Sequence, residues 1–333
     1  MAQTEDMQAL LDIRNLTVNL LRSGAPVDVL QDVSFSIQAG RVVAVVGESG
    51  CGKSITASSI VGLLPPSMQI ASGQISFDGE DLVGASERRL RQLRAKSMAM
   101  VFQDPMTSLN PLMTIGRQLQ EAAIMAFGCS TEKADEIALS MLQKVGIPDA
   151  VSRLQEYPHS LSGGMRQRVM IAMALCRKPK LLIADEPTTA LDVTIQLQIL
   201  RLLADLQAEL SLTILIITHN LGVVAELADD VVVMYAGKVV ESGGVDEILK
   251  TPKHPYTRAL LAATPRFAIG QPPERIAFKE IKGTVPELGK RGPGCRFEAR
   301  CPASEPGCAA SAPETVRITA SHIVACRSRE MLQ

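Results

Sequence analysis

One stretch constrains this chain more than any other: Gly47-Glu48-Ser49-Gly50-Cys51-Gly52-Lys53-Ser54. It fits the G-x-x-x-x-G-K-S/T phosphate-loop pattern at every fixed position. Before it runs Val42 to Val46, continuously apolar, which reads as a strand buried on both faces. After it, Lys53 to Leu64 reads as a helix. A buried strand feeding a glycine loop and then a helix predicts an α/β fold. The chemistry follows from the residue types. Glycines let backbone N–H groups converge on phosphate oxygens without Cβ clashes, and the helix N-terminus adds positive potential. Lys53 can reach the β and γ phosphates of a nucleotide, and Ser54 offers a hydroxyl to Mg²⁺. Glu48, Ser49, Cys51 and Ile55 complete the binding segment. Cys51 reads as a small residue that binds through its backbone, in preference to a redox switch.

A second apolar strand, Leu181 to Ala184, delivers Asp185 and Glu186 at its C-terminal end. Beside a phosphate loop this pair suits an Mg²⁺ shell at Asp185 and polarisation of an attacking water at Glu186, because phosphoryl transfer rests on positioning and electrostatics. Leu161-Ser162-Gly163-Gly164-Met165-Arg166-Gln167-Arg168 adds a separate element. Ser162 can cap the helix that follows, and Gly163 and Gly164 expose N–H groups at its start. From these residues alone, that is either a second phosphate-binding end or an ordinary helix cap.

Composition narrows the function classes. Net charge is −1, from 34 basic and 35 acidic residues with no basic patch, which argues against nucleic acid as the main partner. No stretch reaches 18 apolar residues, so the chain is not expected to cross a membrane by itself; in transport, other subunits would supply the channel. The N-terminal MAQTEDMQALLDIR lacks the basic and apolar regions of a secretory signal. Aromatics make up only 3%, so Val, Ile, Leu, Met and Ala must build the core. Seven cysteines, an odd number without a signal, fit a reducing compartment. Cys129 and Cys176 read as ordinary buried or helical residues.

Along the chain, residues 10–38 alternate as strands, and Val231 to Val240 reads as a hairpin turning at Ala236-Gly237. Between Met113 and Leu161, apolar residues recur at helical spacing, as a helical insert. Beyond about Thr251, Pro and Gly become frequent, and a small separate C-terminal module is expected. It holds Cys295, Cys301, Cys308 and Cys326, with gaps of five, six and seventeen residues. Four thiols can bind zinc, bind an iron–sulfur cluster, form disulfides or stay unligated. The paired short knuckles common in zinc sites are absent, disulfides do not suit a reducing compartment, and cubane clusters tolerate varied spacing.

The Leu161 to Arg168 segment resembles the signature loop of ABC ATPases, and the resemblance extends over about residues 10–250. Gln103 is similar to the family's Q-loop glutamine, Thr189-Ala190-Leu191-Asp192 to its D-loop, and His219 to its switch histidine. The resemblance implies an ABC ATPase: a RecA-like phosphate-loop core, an antiparallel β-subdomain and a helical subdomain at about 104–165. It implies a two-cassette sandwich in which ATP lies between the phosphate loop of one subunit and Ser162, Gly163, Gly164 and Gln167 of the other. Lys53, Glu186 and His219 would be catalytic, Asp192 would serve the D-loop, and Ser54, Gln103 and Asp185 would hold Mg²⁺. Two departures stand out. No aromatic precedes Phe35 to stack on adenine near Leu20, so aliphatic groups such as Leu20, or the partner, must do so. Asn220 follows His219, where Asp is usual.

His254 to Leu261 (HPYTRALL), Gly294-Cys295-Arg296-Phe297 and Arg300-Cys301-Pro302 resemble the C-terminal extension of the dipeptide, oligopeptide and nickel importer ATPases, and Gln103 to Pro111 is similar to the Q-loop of that group. That resemblance implies an extension over 251–333 with a [4Fe-4S] cluster on Cys295, Cys301, Cys308 and Cys326, His322 being a lesser ligand candidate. It also implies two transmembrane permeases, an extracytoplasmic solute-binding protein and a second related ATPase, as a heterodimer in preference to a homodimer. The place of work would be the cytoplasmic face of the inner membrane, with di- or oligopeptides as cargo, or else nickel, glutathione or another small solute. A soluble ABC ATPase acting on nucleic acid or ribosomes is the more distant reading. The stretch 104–160 is too short for a chromosome-type coiled coil, and there is a single phosphate loop.

Overall fold

The computed structural model describes residues 9–22, 25–104, 108–189, 191–263 and 280–328. Two sheets frame it. The first is antiparallel, in the order β2-β1-β4-β5, from β1 (Leu11–Leu20), β2 (Val27–Ile37), β4 (Met68–Phe77) and β5 (Glu80–Asp81). Alternation builds β1: Leu11, Ile13, Leu16 and Val18 face inward. Asn15, with φ 49°, bulges the strand so that the inward face resumes at Leu16.

The second sheet has eight strands, in the order β11-β12-β10-β9-β3-β8-β7-β6. β6 (Met98–Val101), β7 (Leu181–Asp185), β8 (Thr213–Thr218), β3 (Val42–Val46) and β9 (Asp230–Tyr235) run parallel. Their central members are buried residue by residue, as a sheet covered on both faces requires. β10 (Lys238–Gly244), β12 (Ile323–Ala325) and β11 (Thr315–Arg317) continue it antiparallel.

The helices are α1 (Lys53–Ile60), α2 (Glu87–Lys96), α3 (Ile115–Phe127), α4 (Thr131–Lys144), α5 (Ala150–Arg153), α6 (Gly163–Leu175), α7 (Val193–Leu210), α8 (Leu221–Leu227), α9 (Val245–Lys250), α10 (Pro255–Ala263) and α11 (Pro306–Ala310). Thr114, Ser130, Ser162 and Asp192 cap α3, α4, α6 and α7 through their side chains. Helices α3, α4 and α6 pack on one another where the sequence predicts a helical insert. Among the described residues no helix is long and apolar enough to cross a membrane.

Two expectations change. The helix after the phosphate loop ends at Ile60, not Leu64. Gly62, at φ 65°, turns the chain, and the Gly62 and Leu63 amides donate back to the Ser59 and Ser58 carbonyls. The described residues beyond 251 also do not form a core of their own. Tyr256 and Phe297 belong to the same buried cluster as Val46, Ala184 and Ile216, and β12 pairs with β10. The composition shift near Thr251 marks a change of chain character on a shared core.

Candidate active site

The phosphate loop links β3 to α1, and glycine is required where it bends. Gly47 and Gly52 have φ of 152° and 103°; a Cβ would lie 2.2 Å from the Met234 carbonyl oxygen at the first and 2.5 Å from Leu30 Cδ2 at the second. The β9–β10 hairpin tip braces the loop, with the Gly237 amide donating to the Cys51 carbonyl at 2.8 Å. Lys53 is buried, and its ammonium donates to the Gly47 and Glu48 carbonyls at 2.8 and 3.1 Å. Burial pushes the Cys51 thiol pKa up, against the nearby Lys53 ammonium.

At the start of α1, Ser54 Oγ donates to Asp185 Oδ1 at 3.1 Å. Burial raises the Asp185 pKa, and the Ser54 hydroxyl opposes that shift. A hydroxyl and a carboxylate in contact are an oxygen-only donor set, which fits Mg²⁺. The next residue, Glu186, is in the left-handed region at φ 45°, with its amide donating to Ile217 O at 2.9 Å. Groups from three segments meet its carboxylate. Thr189 Oγ1 and Gln103 Nε2 donate to Oε2 at 2.8 and 3.0 Å, and His219 Nδ1 lies 3.4 Å from Oε1. Lys53, Ser54, Gln103, Glu186 and His219 line one cavity of about 680 Å³. Its apolar lining is Val29, Ile55, Met68 and Leu288; Leu20, expected against a base, does not line it. Asn220 caps α8 by accepting the Gly222 amide at 2.9 Å, so the residue after His219 serves the helix end.

The second predicted phosphate-facing element lies apart. Ser162 Oγ accepts from the Met165 amide at 3.3 Å, and Asp192 Oδ1 from Ile195 N at 3.0 Å. A Cβ on Gly164 would lie 2.7 Å from Ile195 Cγ2, so the start of α6 packs tightly on α7. Gln167 is buried, and its Nε2 has no hydrogen-bond partner. None of Ser162, Gly163, Gly164, Gln167 and Asp192 lines the cavity around Lys53. Ala190 and Pro105 to Thr107 lie outside the described residues.

One part of the site escapes sequence reasoning. Arg300 forks onto Glu48 of the phosphate loop, Nη1 to Oε2 at 2.7 Å and Nη2 to Oε1 at 3.0 Å. The Arg300 side chain is only 5% exposed and the Glu48 side chain 27%, so the pair is largely shielded. The hydrogen bond to Glu48 holds the Arg300 pKa above its usual value. The Glu48 amide donates to Tyr256 Oη at 2.8 Å, and Arg300 Nη1 donates to Tyr235 Oη at 3.1 Å. Tyr235, Tyr256 and Phe297 pack ring to ring beneath. The scarcity of aromatics was the available signal: two of the three tyrosines gather behind the phosphate loop.

The four C-terminal cysteines are free. The Cys295 amide donates to the Cys308 carbonyl at 2.7 Å, and the thiols lie within electrostatic reach of one another. Burial first, and then the neighbouring thiols, raise the pKa of Cys295, Cys301 and Cys326, with Cys301 pushed up to about 11. Among the described residues, however, no three His, Cys, Asp or Glu side chains stand in a metal-holding arrangement. The expected four-cysteine shell is therefore not drawn together among the described residues. His322 is withdrawn from any such role, since its Nε2 lies 2.7 Å from Glu241 Oε1 with both side chains buried.

Residues 30–189 match the family described as ABC transporter, and residues 240–308 match the oligopeptide/dipeptide transporter C-terminal region. The chain is 48% identical to the dipeptide transport ATP-binding protein DppD of Bacillus subtilis, covering 96% of this chain and 95% of the relative. It is 48% identical to the protein of the same name in Escherichia coli, covering 92% of each. The fold is similar to that of the ATP-binding cassette MJ0796, solved as a dimer with ADP and Pi, at TM-score 0.64 and 26% identity over 71% of this chain and 98% of that one. CbiO1 from Clostridium perfringens, part of an ABC transporter complex, gives TM-score 0.63 and 30% identity over 72% and 90%.

Proposed function

The chain belongs to the ATP-binding subunits of ABC transporters that carry the oligopeptide/dipeptide C-terminal region, and we propose that it hydrolyses ATP to drive the uptake of di- or oligopeptides. One observation carries the catalytic part: Gln103, Thr189 and His219 converge on Glu186 in the cavity that also holds Lys53 and Ser54. In this reading the loop from Gly47 to Ile55 cradles the phosphates with its amides, and Lys53 releases its loop carbonyls to meet the β and γ oxygens. Glu186 takes hydrogen bonds from Gln103 and Thr189, which aim its carboxylate at an attacking water. His219 stands on the exposed side, beside the γ-phosphate. Ser54, Asp185 and the Gln103 carbonyl oxygen would hold Mg²⁺, which neutralises charge on the β and γ oxygens.

Ser162, Gly163, Gly164 and Gln167 lie outside this cavity, which supports a shared site: they would close over the ATP of a second, related cassette, with Asp192 at the junction. Two membrane permeases and an extracytoplasmic binding protein complete the assembly, with the chain peripheral on the cytoplasmic face of the inner membrane. Exposed Leu63 and Phe102 line a groove with Met98, Met170 and Met173, which suits docking of a permease helix. Cys295, Cys301, Cys308 and Cys326 would hold a [4Fe-4S] cluster after losing their protons. Four free thiols within mutual reach supply the donors, and loading should improve as pH rises. Protein purified without oxygen should contain about four iron and four sulfide per chain; zinc without sulfide would exclude the cluster.

Uptake of labelled di- and oligopeptides, in cells lacking this subunit, tests the cargo. The wild-type gene should restore uptake and Lys53→Ala should not. Uptake that never depended on the subunit would leave the ATPase in place and remove peptides as its cargo.

A further inference from the structure

We propose that the C-terminal segment around Leu288 forms the wall on which the nucleotide base packs, so that the extension is part of the ATP site. The inference rests on ATP occupying the cavity around Lys53. The groups for phosphate chemistry come from the ends of β3, β7 and β8 and from Gln103, beyond β6. The apolar lining comes from Ile55 beside the phosphate loop, Val29 on β2, Met68 on β4 and Leu288. A base bound in this cavity has these apolar side chains to pack on, and the extension supplies one of them. No aromatic precedes Phe35 in the sequence, and Phe35 packs against the core beneath the antiparallel sheet.

The position of Leu288 is fixed by the residues that follow it. Arg291 Nη1 donates to the carbonyls of Asp28 and Val29 at 3.0 and 3.2 Å, tying the segment to the strand that bears the facing wall. Gly289, at φ 86°, turns the chain against Val27. Further on, Arg300 grips Glu48. Aliphatic side chains offer a purine dispersion and burial, with no hydrogen-bond readout. This wall therefore contributes affinity for a base in general.

Titration calorimetry on the full chain, with Mg·ATP and with Mg·tripolyphosphate, separates base from phosphate contacts. Leu288→Ala and Leu288→Gln should weaken ATP about three- to tenfold and leave tripolyphosphate unchanged. Leu288→Met should keep wild-type affinity for both. Unchanged ATP affinity in Leu288→Ala overturns the inference alone, as does a parallel loss of both ligands in the Ala and Gln variants. Lys53→Ala should weaken both ligands; if it weakens neither, the placement of ATP fails and the inference falls with it.

Discussion

The phosphate loop is held differently on its two flanks. On the catalytic flank, Ser54 at the loop's end makes one bond, to Asp185 at 3.1 Å, beside Glu186 contacts of 2.8 to 3.4 Å and a His219 side chain that is 64% exposed. On the flank facing the C-terminal extension, Glu48 is bound by a two-pronged guanidinium and a tyrosine hydroxyl over packed rings. The first flank must rearrange as phosphate arrives, reacts and leaves. The second keeps the loop's shape while that happens. Rigid support and adjustable chemistry are thus separated by a few residues of backbone.

Substitutions can break or sharpen this contrast. The largest effect belongs to the adjustable flank. Glu186→Gln should cut ATP turnover roughly 10²- to 10⁴-fold while ATP binding persists, measured by phosphate release and calorimetry; near-normal turnover would remove Glu186 as the base. On the rigid flank, Arg300→Met should lower unfolding stability by about 3 kcal/mol, because it strands a shielded carboxylate. Chemical denaturation would show it, and Glu48→Gln in the same chain should recover part of the loss. A third effect, on the rigid flank, is a pH slope. His254 lies beneath the rigid flank, where burial pushes its pKa down to about 3, and its Nδ1 accepts the Tyr256 amide at 3.1 Å. The unfolded chain protonates near pH 6.5 and the folded chain does not, so this contribution is whole above that pH and is lost as pH falls toward 3. The slope is at most about 1.4 kcal/mol per pH unit. His254→Asn should flatten that limb of the denaturation midpoint against pH.

The two flanks also differ in how much of them the sequence reveals. Asp185 and Glu186 are legible at the end of an apolar strand, and Lys53 and Ser54 where a glycine loop opens a helix, because there a short local pattern sets both position and chemistry. Gln103 and His219 become legible by resemblance, since each follows such a strand. The rigid flank depends on contacts across 208 residues for Tyr256 and 252 for Arg300. No local period encodes a partner that far away. The base wall shows the same limit: Leu20 is near in sequence to where a stacking residue is sought, yet Val29, Met68 and Leu288 meet only through the fold. The helical insert was readable from its spacing, while its Thr114 and Ser130 caps emerge from the structure. The end of α1 was misplaced because Gly62 overrides the apolar run that continues through Leu64.

The late position of β12 has a consequence for the chain as it is made. Its pairing with β10 runs through Glu241 and Ser242, pinned by the buried Glu241–His322 contact. Until residues 315–325 leave the ribosome, β10 presents unpaired amides and carbonyls to whatever strand is near. Afterwards the outermost strand is three residues long and carries Arg317. The sheet is therefore sealed only once a segment about eighty residues downstream of β10 has been made, and until then the β10 edge is open to mispairing.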